Sequence, residues 1–247
     1  MFTWQQRARL FTLASALPRS RRLQAAARFY LDVAGGENFA DPQINGEVRL
    51  LREVLTDARV VFDVGAATGT WTGPALAFAP PNAQFHCFEP VSARFAELSA
   101  HAWPERVRRV PMGLGATEGS RTLRAASGSV YDPRGGELVE GTFTTLDAYC
   151  SANGIANIDF LKLDVEGMEF DVLRGAERML DEGRIARIQF EYSAFTANAR
   201  VQLRDFFERL QPLGYSISRI LPLRLEPCPT FDVAWENYRY KNFVAVL

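Results

Sequence analysis

Three apolar runs of this chain each give way to an acid, the arrangement a ligand site at a sheet edge needs. Val60-Val61-Phe62 passes into Asp63-Val64-Gly65-Ala66-Ala67-Thr68-Gly69-Thr70. The run ending at Phe88 passes into Glu89-Pro90, and Ile158 to Leu163 passes into Asp164-Val165-Glu166-Gly167. Gly65 and Gly69 let the backbone turn tightly and approach a ligand. Glu89 follows Gly69 by twenty residues, the distance at which an acid on the next strand meets the ribose hydroxyls of a nucleotide-type cofactor lying across two parallel strands.

The details favour S-adenosylmethionine over a dinucleotide. A pyrophosphate-binding turn has the form GxGxxG with no acid in front, whereas here Asp63 precedes the turn and only two glycines remain. An acid there repels a pyrophosphate but can order a loop around an ammonium and a sulfonium. If neither contact is made, Asp63 is a turn cap and Glu89 a solvated strand end. The expected cofactor set is Asp63, Gly65, Ala66, Gly69, Thr70, Glu89, Pro90 and Met112, with Asp164 at the reactive end.

Methyl transfer to an alcohol needs alignment and removal of a proton. His86 lies inside a strand and His101 ends a helix, so neither is well placed as a base. The candidates are Asp164, Glu166 and Glu191, the last closing Gln189-Phe190-Glu191. Either one acts as general base, or some of them, Asp164 and Glu191 first, hold a divalent cation, for which oxygen donors suit Mg²⁺. The competing role for Asp164 or Glu166 is to cap the helix that follows.

These residues need a scaffold, and the hydrophobic pattern supplies one. Strands are expected at 59–64, 84–88, 107–112, 159–163, 186–191, 215–220 and 242–247, with helices at 47–55, 70–79, 91–101, 168–181 and 199–211. Such alternation gives an open, mostly parallel sheet covered by helices on both faces. The last two strands are joined by about twenty residues without helical period, so they should pair antiparallel. Residues 113–141 break the alternation and are rich in Gly and Ser. Together with the aromatic stretch 221–241 (Trp235, Tyr238, Tyr240), they are expected to face the substrate. Before this unit, 4–17 and 20–34 read as amphipathic helices broken at Pro18.

The 247 residues and 47% hydrophobic content suit one large domain with an extension, divided at 44/45. A net charge of −1 gives no global field for nucleic acid, although residues 1–31 carry Arg and no acid. That arm could serve an anionic surface or a homodimer contact. Lysine occurs only at Lys162 and Lys241. Three cysteines without a CxxC pair fit a reducing cytoplasm. No apolar run reaches the roughly 18–20 residues of a membrane span.

In order along the chain, the segments Val61-Phe62-Asp63-Val64-Gly65-Ala66 with Gly69, Phe88-Glu89-Pro90, Thr145-Leu146-Asp147, Ile158 to Glu169 with Val172-Leu173-Arg174-Gly175-Ala176, and Phe190-Glu191 resemble the FkbM family of S-adenosylmethionine-dependent methyltransferases. The resemblance covers about residues 45–247. It implies a Rossmann-like class I methyltransferase fold: a seven-stranded, mostly parallel sheet with an antiparallel last strand and a helical N-terminal extension. It also implies O-methylation of a sugar, glycan or other hydroxylated small molecule. Ala67 departs from the family, which often has Asn there.

Overall fold

The computed structural model describes residues 3–15 and 20–247, so the expected break at Pro18 lies outside the described residues. The chain divides into two compact units, one ending at Glu37 and one beginning at Asn38. In the first, helices α1 (Trp4–Ser15) and α2 (Arg21–Gly35) bury none of their residues. Ser20 caps α2 by accepting from the Leu23 N–H, and Gly36 closes it in the left-handed region.

The second unit opens with α3 (Glu47–Val54) and continues β1 (Val60–Val64), α4 (Thr72–Phe78), β2 (Gln84–Phe88), α5 (Ser92–Ala100) and β3 (Val107–Val110). After β4 (Gly113–Leu114), β5 (Gly119–Arg124) and β6 (Leu138–Thr144) come α6 (Leu146–Asn153), β7 (Phe160–Leu163), α7 (Glu169–Arg174), α8 (Glu177–Asp181) and β8 (Arg187–Tyr192). Then follow α9 (Ala194–Asn198), α10 (Leu203–Leu210), β9 (Ser216–Ile220), β10 (Leu225–Pro227) and β11 (Lys241–Val246). The main sheet has the order β10-β9-β11-β8-β7-β1-β2-β3. β3, β2, β1, β7 and β8 run parallel, and β11 is inserted antiparallel between β8 and β9. All seven expected strands are present, and β10 adds a short eighth at the edge.

The central strands read as unbroken apolar runs because both faces are covered. Phe62, Val64, Leu161, Phe190 and Phe243 pack into one core, while Val61, Phe85, Cys87, Phe160 and Val244 pack into another under α3 and α4. Alternation therefore sends Asp63 and Lys162, register partners on β1 and β7, to the second face.

Three segments differ from the sequence reading. Residues 113–144 form a second sheet, β4-β6-β5. The helix expected over 168–181 is two helices broken at Gly175. A Cβ on Gly175 would lie 2.1 Å from the Gly115 carbonyl oxygen, and the Asp147 carboxylate takes the free N–H groups of Arg178 and Met179 at the start of α8. Thr145 caps α6 in the same stretch, so Thr145-Leu146-Asp147 is a double helix-start device, each cap worth about 1 kcal/mol. The helix expected from 199 starts at Leu203, after the left-handed Arg200 ends α9.

Candidate active site

The loop after β1 is shaped by its neighbours. Gly65 and Ala66 N–H donate to the Phe88 carbonyl, and Gly65 adopts φ +85° with a Cβ position only 1.8 Å from the Asp164 carbonyl oxygen. A side chain cannot be accommodated there. Glu89, 2% exposed, accepts from the Ala67 N–H at 3.0 Å and the Val91 N–H at 2.8 Å. An ionised carboxylate has about four acceptor positions, so both oxygens keep capacity for a ligand.

Beside Glu89 lies an apolar slot walled by Val64, Gly65, Pro90, Leu114, Phe143 and Met168. It adjoins a cleft of about 430 Å³ lined by the loop from Gly65 to Trp71 and by Glu47, Arg94, Lys162, Asp164, Glu166 and Tyr240. A second cleft of about 470 Å³ shares Asp164, Glu166 and Tyr240 and adds Glu191, Ser193, Phe195 and Tyr238. The two meet at the carboxyl ends of β1, β7 and β8, where ligands bind in open parallel sheets.

Lys162, 3% exposed, places its ammonium 3.1 Å from Asp164 and 3.3 Å from Asp63. Asp63 also accepts from the Thr72 hydroxyl at 2.6 Å. The three neighbouring acids Asp164, Asp63 and Glu47 hold the lysine charged, outweighing its burial. Lys162 in turn holds the Asp164 carboxyl below its ordinary range against a strong desolvation penalty. Burial and the Asp164 charge push Glu191 well above the carboxylate range. Of this pair Asp164 gives up its proton first. Glu166 is pushed up to about 7 by burial and by Asp164, and its backbone sits in the left-handed region at φ +54°, a conformation costing about 1–3 kcal/mol. The turn is fixed from both sides: Ser129 Oγ donates to the Glu166 carbonyl at 2.6 Å, and Glu169 accepts from the Val165 and Gly167 N–H groups.

Glu169 is raised to about 8 by burial. Together with Glu166 and Glu191 it binds protons in the folded state that the unfolded chain has released above about pH 4.5. These three groups make stability fall as pH rises from about 5 to 8, outweighing the single opposite contribution of His86, lowered to about 4 by burial, which ends near pH 6.5. Asp164, depressed when folded, contributes with the opposite sign and loses its contribution only below its ordinary value. Melting temperature across this window should be highest at the acid end, and Glu169→Gln should flatten the slope. A melting temperature rising from pH 5 to 8 would contradict the raised values.

Of the residues expected at the site, the clefts gather Gly65, Ala66, Thr70, Glu89, Pro90, Asp164, Glu166 and Glu191. Three lie elsewhere. Asp63 is fully buried beneath the loop, turned to Thr72 and Lys162. Gly69 backs onto the Trp103 ring, and Met112 packs against the main core. His86 is hydrogen-bonded to the Tyr149 hydroxyl at 2.8 Å, is lowered to about 4 by burial, and lines a different groove. Among the described residues no three His, Cys, Asp or Glu side chains group to hold a metal ion. Asp164 is already bound by the Lys162 ammonium at 3.1 Å, so these carboxylates do not form the open oxygen cage that the divalent cation considered from sequence needs.

Sequence reasoning missed Glu47, Arg94, Lys162 and Glu169. Lys162 carried a signal: a lysine inside an apolar strand of a chain with only two. Arg94 and Glu47 look like ordinary helix residues until the fold places them on the cleft.

Residues 63–217 match the Methyltransferase FkbM domain. The 2-O-methyltransferase NoeI of Sinorhizobium fredii is 27% identical over 157 residues, which span 54% of this chain and 63% of that protein. Among solved structures, a methyltransferase FkbM from Methylobacillus flagellatus KT aligns over 77% of this chain and 43% of its own, with 15% identity and a TM-score of 0.47. Aeropyrum pernix fibrillarin with natively bound S-adenosyl-L-methionine aligns over 81% and 73%, with 13% identity and a TM-score of 0.46. The chain thus spans less than two thirds of the first two proteins, and the two structural likenesses carry no argument about what it does. The domain match, covering more than half the chain, does place it: the protein belongs to the FkbM methyltransferase family.

Proposed function

We propose that this protein is an S-adenosylmethionine-dependent O-methyltransferase acting on a hydroxyl of a sugar or similar polyol. The observation that carries the reading is the pairing of two adjoining clefts around Asp164 and Glu166, one beside a buried strand-end carboxylate and an apolar slot, the other walled by acids and aromatic rings.

The residues fit the cofactor. Glu89 and the apolar slot suit a ribose and an adenine. On the wall of the first cleft stand three acids (Glu47, Asp164, Glu166) and two cations (Arg94, Lys162), and Arg94 is engaged with the Ala126 and Ser127 carbonyls. Asp164, ionised beside Lys162 and part-exposed there, offers a partner to a cationic ligand group. Trp71, also on this wall, stacks its ring on Phe160. An amino-acid end with its ammonium at Asp164 fits this cleft. When bound, the cofactor supplies an electrophilic methyl group on a sulfonium.

The chain's own residues then orient the acceptor and take its proton. Tyr238, Tyr240 and Phe195 offer apolar faces to a sugar ring, while carboxylates accept from its hydroxyls. Glu166, poised near neutrality, is the general base, and Asp164 and Glu191 position the acceptor. The buried, unbridged thiols of Cys87, Cys150 and Cys228 suit a reducing, cytoplasmic setting.

Calorimetric titration with S-adenosylhomocysteine, with NADH as control, tests the cofactor class. Wild type should bind S-adenosylhomocysteine and not NADH. Glu89→Ala should bind about 2–3 kcal/mol more weakly, having lost charge-assisted hydrogen bonds, roughly 30- to 150-fold. Preference for NADH would refute the reading.

A further inference from the structure

Only two of the 28 cationic side chains besides histidine are lysine, and both are nearly inaccessible: Lys162 is 3% and Lys241 1% exposed. Lys241 is tied to the Trp235 carbonyl and to Asn237 Oδ1, an anchor for the aromatic strap. Lys162 is held differently. Its ammonium lies between two carboxylates on successive levels of the site, Asp63 under the β1 loop and Asp164 on the cleft wall. The Trp71 ring centroid is 5.3 Å away.

The two carboxylates are unequal. Asp63 is fully buried, while the Asp164 side chain is 40% exposed to the cleft. A charge pinned on the inner side is thus presented on the outer side. We propose that Lys162 is a positioning residue that keeps Asp164 ionised and turned to the cleft wall, so that this wall is ready for a cationic cofactor group before one arrives. Asp63 is the second support of the lysine, which explains why the acid before the glycine turn lies beneath the loop rather than on the cleft. The link to the cofactor rests on the proposed methyltransferase reading; the link from Lys162 to Asp164 does not.

The test separates the two. The ¹³C resonance of the Asp164 carboxyl, assigned by difference with Asp164→Asn, is titrated in wild type, in Asp63→Asn and in the double variant Asp63→Asn/Lys162→Met. The double variant removes a buried anion with the buried cation, so it avoids the orphaned charge of Lys162→Met alone. In wild type and Asp63→Asn the carboxyl should stay ionised down to about pH 4, at or below the ordinary aspartate value. In the double variant its midpoint should rise by at least about one unit, given the loss of an opposite charge within about 4 Å. A midpoint unchanged in the double variant, or a wild-type midpoint above pH 5, overturns the proposal. If the double variant fails to fold, the wild-type titration decides alone.

S-adenosylhomocysteine affinity supplies the second readout. Relative to Asp63→Asn, the double variant should lose at least about threefold more affinity at pH 4.5 than at pH 8, as Asp164 takes up a proton. An equal loss at both values, as a merely structural role would give, overturns the proposal. No binding to wild type at any pH overturns the cofactor reading instead, and the carboxyl titration still decides on Lys162.

Discussion

Glu166→Gln is expected to lower kcat for methyl transfer by about 10²- to 10³-fold, the range of a lost general base, while S-adenosylhomocysteine affinity stays within a few-fold of wild type. Glu166 is the acid of this site whose pKa, about 7, matches the pH at which it must work. Lys162 holds Asp164 below the ordinary carboxylate range as an anion, while burial raises Glu191. A base must be deprotonated, so wild-type activity should rise with pH through about 7. In Glu166→Gln that limb should vanish rather than shift. The left-handed backbone at Glu166 and the Ser129 hydrogen bond to its carbonyl fix where the carboxylate stands. The measurement is steady-state transfer from S-adenosylmethionine to the polyol that wild type turns over fastest. Unchanged kcat with an intact acid limb would pass the role to another group.

The second large effect is on stability. Lys162→Met should cost about 3–5 kcal/mol, the penalty for orphaning a buried charge, read as the free energy of urea unfolding. The single change leaves Asp63, at 0% exposure, with only the Thr72 hydroxyl in place of a cation. Adding Asp63→Asn removes that charge and should recover most of the loss, a positive coupling in a double-mutant cycle. Additive losses would show that the pair is not energetically joined. The same logic predicts little benefit from Lys162→Arg, since the guanidinium brings the charge but not the shape.

Strands buried on both faces leave unbroken apolar runs and helices a longer period, so the order of β and α elements was open to sequence reading, as was the antiparallel finish. The Gly65 turn, the acid on the next strand and the family resemblance follow from local chemistry of the same kind. The breaks in helices were harder: nothing near Gly175 announces that the Gly115 backbone will press against it, because that contact joins residues sixty apart. The small β4-β6-β5 sheet was hidden for a related reason, its ribbon alternating too weakly to stand out from Gly- and Ser-rich loop. Residues 1–31 showed their arginines but not their role.

The sequence by itself determined the sheet, the cofactor turn and the set of acids that could reach one rim. Only the tertiary structure decided which acid does what, because protonation depends on neighbours drawn from separate strands and helices. Lys162 from β7 makes Asp164 the anion, burial and the Asp164 charge raise Glu191 of β8, and burial sets Glu166 near neutrality. A carboxylate's type is written in the chain, but its charge is fixed by the desolvation and Coulomb fields that folding assembles around it.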